Sequence, residues 1–566
     1  MKLKNIVYST SLAVLMLAAG SCKKEKFDIN ANPDDVTDVS VTPTVLLPAA
    51  QQTTSSIVAT NFTFLQMWMG YWARSGSYQS LGEIETYKFS NDFQVGVWNN
   101  LYANANNYHI MMTKAQASGA GMYEAIGRIM KSHNFQILVD IYNNVPYFEA
   151  FRGTAVPTPK YDKGVDIYND IFKQLDTAIT LLKNPTAIQA ASNPEIATAD
   201  LVYAGNATSW IRFANTLRLR MLIHLHNGIT SAQVAPGVDV AAQVGKFTIE
   251  GFIGAGQSAH LNPGFSGSKP QPYYRSYNTN ESGTGSQNDV VRANDYAVRY
   301  YQYNGDWRVG YFYTNPQPVT NTTNASGQQV TNFISGNKGI PFGKPSGDQS
   351  LIGSALSTVR GVGYSPNGAA SRAWIMTSVE SLFLQAEAKQ RGLAIPGSGT
   401  AKSLLTDAIK ESFVWLNASR PAIKTVPRAG HTQIDSITFT PTGSLTGPVR
   451  GTAELYIAGN AGYEDVDIDA PGGGLYTILS QKWFALNGIA AFEIWTDYRR
   501  TDIKYGSSPG VGFDQGPPVS IDPGNTSTVI PRRLLYPQNE YNYNAANVGE
   551  QGTINQFTSK IFWDLN

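Results

Sequence analysis

What most limits this chain's fold is a set of helical periodicities separated by long polar stretches. Between Met122 and Tyr142, apolar residues recur at Ile126, Ile129, Met130, Ile137 and Ile141. Between Ser209 and His226 they fall at Trp210, Phe213, Ala214, Leu217, Met221 and Leu225. Asp166 to Leu182 repeats the pattern at Ile167, Ile171, Leu175, Ala178 and Leu182. Thr377 to Arg391 repeats it at Val379, Leu382, Phe383 and Ala386, with Gly392 as a stop signal. Steps of three and four put these side chains on one buried helix face. Ile478 to Trp495 is a further apolar segment of helical length. The stretches from about Gly251 to Gly368 and Ala418 to Gly474 are rich in Gly, Asn, Ser, Thr and Pro. They carry turn signals (Asn304-Gly305, Pro366-Asn367-Gly368) and short β-like runs such as Tyr311-Phe312-Tyr313. Loops this long are uncommon inside a domain and are often functional. The reading is mainly α, a helical scaffold with large loop-rich excursions carrying short strands and no fixed-period repeat.

With 566 residues, 42% of them apolar, the chain can bury a large core. The net charge of +1, without a basic stripe, excludes electrostatic recruitment of nucleic acid. Charged residues make up 15%, against about a quarter in ordinary domains. Together with 30 Tyr and 10 Trp, this suits neutral, hydroxylated ligands. The single cysteine, Cys22, ends the string Leu17-Ala18-Ala19-Gly20-Ser21-Cys22. Lys2 and Lys4 precede an apolar run from Ile6 to Ala19, shorter than the roughly 20 residues of a membrane span. A basic start, an apolar stretch and small residues before a cysteine resemble a lipoprotein signal peptide and its lipobox. Cys22 is then the lipidated first residue of the mature protein, and two or more acyl chains make such an anchor stable. The expected organisation is a signal peptide over 1–21, the lipidated cysteine and charged tether over 22–40, and one domain over 41–566. Within it, helical scaffold is expected over about 41–250, 371–417 and 475–504, with excursions over 251–370 and 418–474.

Several strings, in order along almost the whole chain, carry a family resemblance. Near the anchor stands Phe27-Asp28-Ile29-Asn30-Ala31-Asn32-Pro33, followed by Thr44-Val45-Leu46-Leu47-Pro48-Ala49-Ala50. Leu138-Val139-Asp140-Ile141-Tyr142-Asn143-Asn144-Val145-Pro146-Tyr147 comes next, with Asn143 where glycine is usual. The most specific string is Asp200-Leu201-Val202-Tyr203-Ala204-Gly205-Asn206-Ala207-Thr208-Ser209-Trp210. Gly339-Ile340-Pro341-Phe342-Gly343, Glu380-Ser381-Leu382-Phe383-Leu384-Gln385-Ala386-Glu387-Ala388, Gln481-Lys482-Trp483 and Arg533-Leu534-Leu535-Tyr536-Pro537 follow. The chain thereby resembles the SusD/RagB family of surface lipoproteins, in its SusD-like branch. The resemblance implies tetratricopeptide-like helix pairs, a place on the outer membrane facing out of the cell, and a SusC-like TonB-dependent transporter as partner. The function it implies is capture of a glycan or oligosaccharide for that transporter. The alternative is peptide capture, as in RagB, with the same partner. Trp210, Phe383 and Trp483 lie on helical strings and read as core.

Enzymatic signatures are missing. His109, His133, His224, His226, His260 and His431 form no H-E-x-x-H, and there is no G-x-S-x-G. His224 and His226, two apart on a helix, face different sides. No cofactor is expected. Asp465, Asp467 and Asp469 alternate as in the first half of an EF-hand, but Ala470 and Tyr476 replace the glycine and glutamate of that loop. They read as a solvated acidic loop, with calcium as the minor alternative.

Aromatic rings bury area against the C–H faces of sugars, and neighbouring amides and guanidinium groups bond the hydroxyls. Two clusters in polar context suit this task. Trp68, Tyr71, Trp72, Arg74, Tyr78 and Trp98 form one, and Tyr273, Tyr274, Arg275, Tyr277 and Asn278 the other. The expected ligand contacts are Trp72, Arg74, Tyr78 and Trp98 on one side, with Tyr273, Tyr274 and Asn278 opposite. Trp98 also opens an apolar helix (Leu101, Tyr102, Ala105), which gives it an equal claim to the core. Asp306-Trp307-Arg308 resembles a family turn and reads as structural.

Overall fold

The computed structural model describes residues 41–230, 232–266, 268–277, 289–314, 320–323, 329–332, 337–359, 372–416, 424–426, 437–439, 449–506 and 516–566, by backbone alone at 273, 320–323, 329–332, 424–426, 437–439 and 449–452. Cys22, the tether and Asn278 lie outside these residues.

The first helix, α1 (Pro43–Thr60), begins on a proline, whose fixed φ and missing N–H suit the first helical position. The short α2 (Thr63–Trp68) leads into strand β1 (Trp72–Arg74). Two long helices follow, α3 (Val95–Ser118) and α4 (Gly121–Tyr142). Gly119 between them takes φ +71°, and the Ala120 N–H bonds back to the Ala115 carbonyl at 2.9 Å. This six-to-one bond closes α3 with a glycine and turns α4 back along it. Next come α5 (Gly164–Lys183) and α6 (Ala207–His224), the latter capped by Asn206, whose side chain accepts from the Ser209 N–H at 2.9 Å. Helix α1 packs on α3, α3 on α4, α4 on α5, and α5 on α6. The five expected stripe residues of α5 are all buried. Because α3 and α5 cover it from both sides, α4 buries even Ser132, His133, Asn134, Gln136 and Asp140.

The second half contributes β2 (Ala259–His260), α7 (Pro272–Tyr277), β3 (Val291–Ala293), α8 (Asp295–Tyr303) and β4 (Trp374–Met376). Helices α9 (Ser378–Gln390), α10 (Ala401–Trp415), α11 (Leu475–Leu486) and α12 (Ala491–Thr501) complete it. Strand β1 pairs antiparallel with β3, Trp72 opposite Ala293 and Arg74 opposite Val291. Strand β2 pairs with β4. Helix α9 packs on α10 and α11, and its contact with α6 joins the two halves. No described helix is long and apolar enough to cross a membrane.

Three features differ from the sequence reading. The segment from Ile478 to Trp495 is two helices, not one. Gly488 at φ +71° breaks it, with its N–H on the Gln66 side-chain oxygen at 3.1 Å and Asn487 donating to the Tyr313 hydroxyl at 2.8 Å. Tyr311-Phe312-Tyr313 is no strand, since Val309–Phe312 is a helical turn and Tyr313 forms only an isolated bridge to Val359. The excursion over 251–370 also contributes to the core. Tyr296, Tyr300 and Tyr301 of α8 pack around Trp483 with ring centroids 5.7, 5.4 and 5.7 Å away. Likewise, Val449–Gly459 in the second excursion is a helix. Asn143, standing where the family prefers glycine, takes φ +67°, a conformation that costs a residue with a Cβ about 1 kcal/mol or more. Its side chain offsets this by accepting from the Phe562 N–H at 2.7 Å.

Charged side chains are buried where the halves meet. Arg220 of α6 reaches Glu380 of α9 at 2.6 Å and Glu493 of α12 at 3.5 Å. His224 places Nδ1 3.0 Å from Asp140 and Nε2 3.0 Å from Glu493. Burial alone would lower the imidazole pKa, but the two carboxylates outweigh it and hold the ring above the ordinary histidine value. Burial would likewise raise Glu493, but Arg220 and His224 hold it well below the usual carboxylate range. Asp140 also accepts from Gln136, from the Tyr168 hydroxyl, and from the Trp563 indole at 2.7 Å.

Candidate functional site

The two aromatic clusters do meet, but their meeting point is buried. Trp72 is 1% exposed, its ring centroid 5.0 Å from that of Tyr277 on α7. As folded it has no face to offer a sugar. Three-residue strands carry no readable period, so its burial depends on partners far away in sequence, Ala293 and Tyr277. Arg74 is also buried. Its guanidinium faces Glu85 at 3.1 Å, donates to the Lys344 carbonyl at 2.8 Å, and takes the main-chain carbonyl of Tyr78. Burial raises the Glu85 carboxyl pKa, and Arg74 offsets this only in part. Arg74 therefore shapes the loop after β1 instead of facing solvent. Trp98 belongs to a separate part of the core. Its ring lies 4.8 Å from Tyr102, 4.9 Å from Tyr142 and 6.1 Å from Tyr536.

What Arg74 holds in place is the loop over residues 75–82. Its tip carries Tyr78, 38% exposed. The loop lies against the segment over 344–353. Gly76 donates to the Leu351 carbonyl at 3.0 Å, and Gly347 donates to the Gly76 carbonyl at 3.3 Å. A Cβ at position 76 would stand 2.6 Å from the Leu351 oxygen, so this crossing requires glycine. Gln79 donates to Ser346 at 3.3 Å. Arg292 of β3 fixes the other flank through the Gly353 carbonyl at 3.2 Å. Burial lowers its pKa, opposed by Asp289 and by the nearby Tyr78 hydroxyl. On α7, Tyr274 is half-buried and Arg275 exposed, and both backbone N–H groups bond to Gln271. Tyr78, Tyr274 and Arg275 therefore stand on elements that the Trp72–Tyr277 contact joins.

The acidic alternation does not form a metal cage. Asp465 points inward and accepts from the Tyr300 and Tyr476 hydroxyls, the latter at 2.9 Å. Asp467 caps the Gly462 N–H at 2.8 Å, and Asp469 pairs with Lys402. Only Asp467 and Asp469 face solvent, because the Asp465 carboxylate is claimed by two tyrosines of the core. Among the described residues no group of His, Cys, Asp or Glu side chains is placed to hold a metal ion. Asp306 and Arg308 form a buried ion pair, in keeping with a structural turn.

Residues 33–537 match the SusD-like family described as starch-binding and associating with the outer membrane. The chain belongs to this family. No curated protein matches it. Among solved structures, a chitin-binding protein superposes with a TM-score of 0.66 at 22% identity, over 93% of this chain and 100% of the other. A chitin-binding SusD homologue from Flavobacterium johnsoniae gives 0.61 at 18% identity, covering 92% and 99%. A SusD homologue from Bacteroides fragilis gives 0.62 at 18%, covering 93% and 99%. The SusD-like fold thus runs through both halves of the described chain.

Proposed function

We propose that this SusD-like protein is a lipid-anchored surface protein that binds a glycan and delivers it to a SusC-like TonB-dependent transporter. The observation that carries the proposal is the family match over residues 33–537, to a family described as starch-binding. Its likeness to two chitin-binding structures over nearly their whole length favours glycan over peptide. The role is capture, without catalysis. Tyr78 and Tyr274 are the side chains offered to the sugar rings, and Arg275 bonds hydroxyls beside them. Cys22 carries the anchor.

Affinity electrophoresis of the protein beginning after Cys22 tests this against starch, soluble chitin derivatives and a wider glycan panel. Retardation by one glycan, lost in the Tyr78→Ala and Tyr274→Ala variants, is the expected result. No retardation by any glycan, with a peptide co-purifying with the transporter complex, would favour the RagB-like reading.

A further inference from the structure

A concavity on the helices has neither Tyr78 nor Tyr274 in its lining. It is a cleft of about 430 Å³ over α4 and α5, with Lys131 on its floor. The Lys131 ammonium stands 5.5 to 5.8 Å from the ring centroids of Phe135, Tyr147 and Phe151. Three π faces stabilise a cation there without neutralising it. Among the described residues Lys131 forms no hydrogen bond or ion pair. The nearest carboxylate that acts on it, Asp170, is already engaged by the Tyr147 hydroxyl at 2.7 Å and by Gln174 at 3.1 Å. Arg128 is matched by Glu124 at 2.8 Å, and Arg152 has only a 3.4 Å bond to the Phe148 carbonyl. His109 stays neutral near pH 7, because burial and then Lys131 push its pKa down to about 4. With Asp170 against Lys131, and Glu124 against Arg128, Arg152 leaves the cleft one unmatched positive charge. Phe148 stands at its mouth, 48% exposed. Phe151 is held at φ +65°, a strained conformation for a bulky residue, and strain of this kind collects at binding sites.

We propose that this cleft is a subsite for a sugar acid, a pyranose bearing one carboxylate. The carboxylate accepts from Lys131 Nζ and from Arg152, and the C–H face of the ring lies on Phe148. A neutral sugar would leave the ammonium without an acceptor, and a bare carboxylate would leave Phe148 uncovered. Burial, only partly opposed by Asp170, brings the Lys131 pKa down to about 8. The Lys131 ammonium is therefore lost as pH rises from 7 to 9, while His109 stays neutral.

The test is ligand-detected NMR titration of the protein beginning after Cys22 with D-glucuronate, D-glucose and acetate. At pH 7 glucuronate should bind at least tenfold more tightly than glucose or acetate. Lys131→Met should erase the preference over glucose, and moving from pH 7 to pH 9 should weaken glucuronate about tenfold. Phe148→Ala, at an exposed position, should weaken glucuronate and leave acetate unchanged. Tyr78→Ala should leave glucuronate binding unchanged, which separates this subsite from the glycan surface. Equal affinity for glucuronate and glucose, acetate binding as well as glucuronate, or wild-type binding by Lys131→Met would each overturn the proposal.

Discussion

The rings of Trp72 and Tyr277 meet with centroids 5.0 Å apart, inside the protein. That contact ties the chain after α2 to the excursion carrying α7. Trp72→Ala would therefore act on stability, lowering it by about 3–5 kcal/mol as in other large-to-small core substitutions. Urea unfolding measures this directly. A loss under about 1 kcal/mol would show that the indole is not a core element.

Tyr78→Ala should behave in the opposite way. The ring is partly exposed, so the urea midpoint should stay within about 0.5 kcal/mol of wild type. Retardation by the recognised glycan should fall by about an order of magnitude, as for an aromatic contact at the centre of a binding surface. Undiminished retardation in both Tyr78→Ala and Tyr274→Ala would remove this surface from the site.

The Arg74–Glu85 pair is buried on both sides. Removing one partner strands the other charge, so Arg74→Met and Glu85→Leu should each cost about 3–5 kcal/mol. The double substitution should cost clearly less than the sum, because it leaves no charge behind. Additive costs in this double-mutant cycle would refute the coupling. Crystals of the double variant should show the loop over 75–82 displaced, since the Tyr78 and Lys344 carbonyls lose their donor.

His224 makes stability depend on pH. Its folded pKa is raised, so its contribution is fully present below the ordinary histidine value of about 6.5 and is lost as pH rises through the folded value. Glu493 is lowered, so its contribution is present above the ordinary glutamate value of about 4.3 and is lost on acidification through the folded value. Stability should therefore be highest between about pH 4.5 and 6.5 as far as this pair is concerned, and decline above. In His224→Gln, the decline on the alkaline side should disappear from urea midpoints measured between pH 6 and 8.5. An unchanged slope would assign it to other groups.

Legibility in the sequence followed the range of the interactions. The α5 stripe at Ile167, Ile171, Leu175, Ala178 and Leu182 could be read because one face of one helix decides its burial. Trp72 could not, because a three-residue strand carries no readable period and its partners stand more than two hundred positions away. Arg74 looked like a hydroxyl donor because Glu85 becomes its counter-ion only once the loop after β1 has closed. Asp465, Asp467 and Asp469 alternate like metal ligands, but burial of Asp465 against Tyr300 and Tyr476 turns one carboxylate away from the other two. The surroundings of the Lys131 ammonium are hidden from the sequence for a similar reason. Phe135 is a helical neighbour at i+4, but Tyr147 and Phe151 reach it only through the turn after α4.

Asp140 adds a matter of timing. Its carboxylate lies among α4, α5 and α6, and those helices are synthesised long before Trp563, which supplies one of its donors. Gln136, Tyr168 and His224 reach the carboxylate from those helices alone, whereas the indole joins them only once the segment around Trp563 has docked.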